Sequence, residues 1–157
     1  MLKALESAPK RVQHLKREVI VPRALDDAFA FFADASNLEK LTPSWVNFKI
    51  ITPTPIDMKP GAIIDYRIRV RGLSLKWRTV IDIWDPPHRF VDRQTLGPYK
   101  WWHHEHRFEA IDDTHTRVID EVAYAARLGF ITEPLMVNRD VAKIFDYRTE
   151  RLREIMR

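Results

Sequence analysis

Acid–base chemistry and ligand orientation both need imidazoles and carboxylates brought to one place. One stretch offers the imidazoles: Tyr99-Lys100-Trp101-Trp102-His103-His104-Glu105-His106-Arg107-Phe108. Read at the two-residue period of a strand, Trp102, His104, His106 and Phe108 share one face, and Trp101, His103, Glu105 and Arg107 share the other. A strand that puts two histidines and two large rings on one face lines an enclosed space, so the first face is expected to point inward.

The neighbouring hairpins supply carboxylates to the same face. A three-residue loop at Gly97 sets Asp92 opposite His104 and Gln94 opposite Trp102. A turn centred on Asp113 sets Asp120 opposite His106, Val122 opposite His104 and Tyr124 opposite Trp102. A buried carboxylate needs a partner, and an adjacent imidazole can be one. Three readings of this cluster stay open: an internally satisfied polar network, a group that orients a ligand in an apolar cavity, and a metal site. His104, His106, Asp92 and Asp120 are the catalytic candidates, because a His–Asp pair can move protons, although no residue is marked as a nucleophile. No motif fixes a metal-ligand geometry, so neither a metal nor a cofactor is expected. Gly-rich nucleotide loops, HExxH and GxSxG are all lacking.

The elements that must hold these residues follow from periodicity and turn chemistry. The 157 residues suit one domain with a sizeable core, over 12–157, behind a polar, frayed segment at 1–11 that contains Pro9. Val12–Val21 reads as a strand ended by Pro22. Leu25–Ala33 reads as a helix with Leu25, Ala28, Phe29 and Phe32 on one face. Asn37–Pro43 reads as a second short helix. Strands follow at Val46–Thr52, Ala62–Arg71, Leu75–Asp85, Arg89–Leu96, Lys100–Ile111 and Thr116–Ala126, separated by Pro, Gly and Asp turns. A tight turn at Gly72-Leu73 pairs Val70 with Leu75, Ile68 with Trp77, Tyr66 with Thr79 and Ile64 with Ile81, facing inward. Arg67, Arg69, Arg71, Lys76 and Arg78 then form a positive outer face. Glu133–Met156 reads as one long helix, with Val137, Val141, Ile144, Phe145, Leu152 and Ile155 as its apolar stripe. Arg148 interrupts that stripe, either snorkelling at the rim or pairing with a charge inside.

Composition narrows the partners. A net charge of +4 is small for a dedicated nucleic-acid binder, and no apolar run approaches a membrane span, so neither partner is expected. The chain has no Cys, which excludes disulfides and thiolate metal sites and agrees with the cytoplasm as its compartment. Nothing in the sequence sets an oligomeric state.

The order of strand, two small helices, six-strand meander and long C-terminal helix resembles the START-like or SRPBCC superfamily, over roughly Val12 to Arg157. The resemblance rests on Asn37-Leu38-Glu39-Lys40-Leu41-Thr42-Pro43, Trp84-Asp85-Pro86-Pro87-His88-Arg89-Phe90-Val91-Asp92 and Gly97-Pro98-Tyr99. The alternating Trp102, His104, His106 and Phe108, and Phe145-Asp146-Tyr147-Arg148, complete it. These segments look like the bacterial ligand-binding branch with polyketide cyclase-like members. The resemblance implies an α+β helix-grip fold: a curved antiparallel sheet of about seven strands wrapped around the C-terminal helix, enclosing a deep cavity. It supplies no catalytic residue, because the superfamily hosts carriers, cyclases, aromatases and receptors on one scaffold. The expected function is binding of a small hydrophobic or aromatic molecule by Tyr66, Ile68, Trp77, Trp102, His104, His106, Tyr124, Phe145 and Arg148. The alternatives are a polyketide cyclase or aromatase-type enzyme using a His–Asp pair, and a protein-interaction module using the basic face.

Overall fold

Alternating apolar side chains and turn-forming breaks give a meander in which every strand pairs antiparallel with its neighbour. The computed structural model describes residues 8–70, 72–127 and 134–157. The expected frayed segment therefore lies outside the described residues as far as residue 7. So does the expected helix start at Glu133.

The elements run β1 (Gln13–Val21), α1 (Leu25–Ala33), a 3-10 turn at Ala35–Leu38, another at Ser44–Val46, β2 (Lys49–Ile50), β3 (Ile63–Val70) and β4 (Leu73–Asp85). Then come β5 (Arg89–Leu96), β6 (Tyr99–Ala110), β7 (Thr116–Ala126) and α2 (Pro134–Ile155). The seven strands form one sheet in the order β1-β7-β6-β5-β4-β3-β2. Register irregularities between Arg78 and Thr79 and between Ile81 and Ile83 interrupt the β4–β5 ladder, and such bulges bend a strand and add twist. This is an α+β helix-grip architecture.

Three local expectations are corrected. The second short helix is a 3-10 turn that begins earlier, at Ala35, because the Asp34 carboxylate accepts from the Ser36 backbone N–H at 2.9 Å and caps it there. The expected strand Val46–Thr52 shrinks to Lys49–Ile50, because Ser44–Val46 is wound as a 3-10 turn and Asn47 takes a left-handed φ of 47°. The β3–β4 register is shifted by two residues, pairing Val70 with Leu73, Ile68 with Leu75, Tyr66 with Trp77 and Ile64 with Thr79. Gly72, at φ 82°, lets the chain reverse earlier than expected. The shift also brings Arg78 opposite Asp65, in a two-point ion pair of 2.7 and 2.9 Å, instead of opposite the like charge of Arg67. A shift of two leaves each side chain on its expected face; a shift of one would have exchanged the faces.

The core divides along the length of the sheet. At one end α1 lays Phe29 and Phe32 edge-on against Phe108, with ring centroids 5.2 and 5.0 Å apart, and Phe29 also meets Trp84 at 5.2 Å. Along α2, Val137, Val141, Phe145, Arg148, Leu152 and Met156 are the buried positions, which follow helical spacing. The ion pair from Arg17 on β1 to Asp146 on α2, at 2.6 Å, fastens the helix to the edge of the sheet.

The outer face is less open than alternation alone suggests. Glu105 and His103 on β6 are nine-tenths buried. Glu105 receives Arg89 at 3.3 Å and Arg107 at 3.2 Å, long side chains that lie across the strand. Phe108→Ala is expected to lower unfolding free energy by about 3–5 kcal/mol, as other Phe truncations in cores do. Arg78→Ala, removing a half-exposed ion pair, is expected to cost less than about 1 kcal/mol. Urea denaturation of the two variants measures both.

Candidate functional site

β5, β6 and β7 place the polar cluster by register. Asp92 pairs with His104, His106 with Asp120, His104 with Val122 and Trp102 with Tyr124, all as alternation predicted. The ladder between β5 and β6 extends to Arg93 and His103, so Gln94 and Trp102 are not ladder partners. Gln94 instead turns to the loop, where its amide donates to the Tyr99 carbonyl at 2.7 Å.

One carboxylate organises the rest. Asp120 Oδ1 lies 2.8 Å from His104 Nε2 and 3.1 Å from His106 Nδ1. Its Oδ2 lies 3.1 Å from Arg148 Nε, close enough for an ion pair but off the line of a hydrogen bond. Arg148 does not snorkel: it is buried on α2, with its guanidinium 5.4 Å above the Phe32 ring. On the opposite side, His106 Nε2 meets Asp92 Oδ2 at 2.9 Å, and His104 Nδ1 stands 3.8 Å from the same oxygen. The two imidazoles are 3.7 Å apart, and His106 stacks on Phe90 at 4.0 Å. Ligand atoms from Asp92, His104 and His106 all fall within 4.8 Å of one another.

The environments push these groups apart. Burial, helped by the neighbouring His106, pulls His104 down to about 4, so it is neutral at pH 7. The same burial acts on His106, but Asp120 and Asp92 outweigh it and hold His106 above its usual value. Burial opposes ionisation of both carboxylates. Even so, His106 and His104 lower Asp92, while Arg148 and the two histidines hold Asp120 well below the carboxylate range.

Above this cluster a cavity of about 750 Å³ opens between the concave sheet, α2 and the segment around residues 31–48. Tyr66, Ile68, Trp77, Trp102 and Phe145 are among its walls, with Asp92, His104, His106 and Arg148 at its polar end. Two expected residues stand elsewhere. Tyr124 faces inward but is covered by α2, where its hydroxyl donates to Asn138 Oδ1 at 2.8 Å, and Asp120 lies behind the histidines; neither lines the cavity. The sequence reading missed Phe32, Phe90 and Thr79, which do line it. Thr79 Oγ1 accepts from Trp77 Nε1 at 3.1 Å and sits 3.3 Å from the Tyr66 hydroxyl. The inward parity of Phe90 and Thr79 was readable; which of them would meet empty space was not. Trp45 stands at the rim, 60% exposed and edge-on to Tyr147 at 5.6 Å.

A family model described as a domain of unknown function (DUF8410) matches residues 78–156, half of the chain. The chain belongs to that family. Its matched span contains Asp92, His104, His106, Asp120 and Arg148 and begins after Tyr66, Ile68 and Trp77. No curated protein matches the sequence. Among solved structures, the Zhui aromatase/cyclase from Streptomyces sp. R1128 superposes with a TM-score of 0.75 at 16% identity, over 93% of this chain and 94% of that one. A START superfamily protein from Mycobacterium smegmatis gives 0.69 at 11% identity, over 91% and 96%. Norcoclaurine synthase from Thalictrum flavum gives 0.64 at 16% identity, over 94% and 98%. At these identities the likeness establishes the START-like, SRPBCC fold alone.

Asp120→Ala would leave Arg148 buried without its counter-charge, and is expected to cost about 3–5 kcal/mol. The double variant Asp120→Leu with Arg148→Met is expected to recover much of that loss in the same urea experiment. Burial also raises the phenols of Tyr66, Tyr99 and Tyr124 above their usual value of 10. Folded-state stability due to these phenols is therefore complete below pH 10 and falls as pH rises beyond it. Spectrophotometric titration should show a class of tyrosines that ionises only with the alkaline unfolding transition.

Proposed function

We propose that residues 12–157 form one domain that binds a small hydrophobic or aromatic molecule in the cavity, with the rings as walls and the histidine–carboxylate cluster as the polar anchor. The observation that carries this reading is the cavity itself, about 750 Å³, within the range of small-molecule sites and walled mainly by rings and aliphatic side chains. Rings stack on flat apolar ligands, and Tyr66, Trp77 and Trp102 present ring faces or edges to one another around the space. The solved neighbours include proteins titled as an aromatase/cyclase and a norcoclaurine synthase, which supports a pocket of this kind on this scaffold.

A second reading is turnover of polyketide cyclase or aromatase type. It is favoured by His104, whose Nε2 is engaged by Asp120 while its Nδ1 makes no hydrogen bond among the described residues. A ring held in that way offers a lone pair to a substrate proton. The interaction-module reading has less support, because several outer-face arginines are locally neutralised: Arg78 by Asp65, Arg93 by Asp82, and Arg89 and Arg107 by Glu105. Among the described residues no helix is long and apolar enough to cross a membrane. The cytoplasm is part of the proposal through the cysteine-free sequence.

Native mass spectrometry of freshly purified protein is expected to show a co-purified small molecule. With 2-naphthol as the probe, at a hundred times its dissociation constant, binding adds about 2.7 kcal/mol and raises the melting temperature by about 5–10 °C. The probe should also quench Trp fluorescence saturably. No bound molecule, together with no shift from 2-naphthol or from a panel of larger aromatics, would refute the binding reading.

A further inference from the structure

The polar end of the cavity brings one candidate ligand atom each from Asp92, His104 and His106 within 4.8 Å of one another. Asp120 Oδ1 engages the distal nitrogen of both rings, Nε2 of His104 at 2.8 Å and Nδ1 of His106 at 3.1 Å. A carboxylate oxygen can only accept, so it selects the Nε2–H tautomer of His104 and leaves Nδ1 of that ring bare. His106 is contacted on both nitrogens: Asp92 Oδ2 lies 2.9 Å from Nε2, and Arg148 Nη2 lies 3.4 Å from Nδ1. With Arg148 donating to Nδ1, the proton on His106 is the one that bridges Nε2 to Asp92. His104 Nδ1 stands 3.8 Å from that same Asp92 oxygen with no described residue between them. A proton on His106 Nε2 bridges one of the two gaps; a metal ion in its place bridges both.

We infer that Asp92, His104 and His106 form a binding site for a divalent transition-metal ion at the floor of the cavity, with Asp120 as the positioning residue behind both histidines. The spacing fits. Ligand atoms about 2.1 Å from a zinc-like ion stand about 3.0–3.4 Å apart for right-angle to tetrahedral coordination, and the distances of 2.9 and 3.8 Å bracket that interval. A carboxylate that takes the second N–H of a ligating histidine is the usual outer support of such sites, and here one carboxylate serves two rings. Arg148, in turn, balances Asp120. Two imidazoles and one carboxylate with open positions suit Zn²⁺, Fe²⁺ or Co²⁺ and not Mg²⁺ or Ca²⁺. The open positions face the cavity, because all three ligand residues line it and Asp120 does not.

Charge then says what the site would accept. Asp92, Asp120 and Arg148 together carry one net negative charge, and a divalent ion turns this into one net positive charge. The remaining coordination positions therefore suit an anionic oxygen, either hydroxide or a phenolate or enolate of the cavity ligand. No spacing motif betrays the site in the sequence, because its ligands come from two strands, β5 and β6, joined by register alone.

This inference goes beyond ligand binding and is tested separately from it. Full-length protein is stripped with a chelator, dialysed, and titrated with Co²⁺. The expected result is one Co²⁺ per chain with visible d–d bands, displaced by Zn²⁺. Zinc should move the ring-nitrogen resonances of His104 and His106 in the wild-type protein and leave those of His14, His88, His103 and His115 in place. Asp120→Asn should weaken Co²⁺ binding by about 10–100-fold. Asp92→Asn should weaken it by at least as much, while His115→Ala leaves it unchanged. The site does not exist if stripped, folded wild-type protein takes up no stoichiometric Co²⁺, or if the shifted rings are those at the surface. Unchanged uptake in folded Asp92→Asn would be equally decisive against it. Any of these outcomes would leave the 2-naphthol shift of the metal-free protein intact, so loss of the metal site and loss of the binding reading are told apart.

Discussion

The interaction on which the site depends is the threefold contact of Asp120 with His104, His106 and Arg148. Its carboxylate sits on β7, directly across from His106 on β6, and reaches Arg148 on α2. Three elements are tied by one side chain. Burying two carboxylates and a guanidinium is unfavourable unless each is matched, and desolvation here is countered by ion pairs and imidazole contacts at close range. That balance also fixes chemistry: Asp120 engages His104 at Nε2, and Nδ1 is the nitrogen of that ring left without a hydrogen bond among the described residues. A hydrocarbon core of the same volume would hold the helix as well or better, but it would leave no directed polar atom at the cavity floor.

The position of the cavity follows from how unevenly α2 is filled. At the lower end, α1 supplies Phe29 and Phe32, which pack edge-on against Phe108 and, for Phe29, against Phe90. At the upper end, α2 offers Phe145, Ile144, Val141 and Val137 to a bent sheet, and these do not reach across it. The polar cluster lies where the packed region stops. His106 is stacked on Phe90 from the packed side, while His104 meets Phe145 edge-on at 5.3 Å from the open side. The apolar plug therefore covers one face of His106 with the Phe90 ring, and both histidines are buried. That enclosure is why the ionisable groups there depart so far from their usual behaviour.

Much of this was legible in the sequence because strand parity is a strong signal. An arginine or a phenylalanine on the wrong face is costly, so alternation assigns His104, His106, Asp92 and Asp120 inward without any knowledge of contacts. The β6–β7 register was also legible, since its five-residue turn is centred on Asp113. The β3–β4 register was not: parity is unchanged by a shift of two, and the deciding contact, Arg78 with Asp65, lies on the outer face where apolar pattern is silent. Depth was the other blind spot. Tyr124 has the right parity, yet Asn138 on α2 covers it, and no periodicity within one strand reports what a helix some dozen residues later lays over it. Arg148 was legible as a break in an apolar stripe, and the reason for the break is a charge on another element.

The family span divides the cavity between two kinds of constraint. Residues 78–156 contain the whole polar cluster and the helix that covers it, while Tyr66, Ile68 and Trp77 come from before that span. Apolar walls act through area and shape; many side-chain sets of similar volume would enclose a similar ligand. The cluster acts through direction, and its geometry is set by mutual contacts among Asp92, His104, His106, Asp120 and Arg148. Replacing a wall residue alters the shape of the cavity. Replacing a cluster residue strands a buried charge on its neighbours. The two parts of the cavity thus answer to different physics: the walls, drawn from β3, β4, β6 and α2, act through shape, and the cluster on β5, β6, β7 and α2 acts through direction.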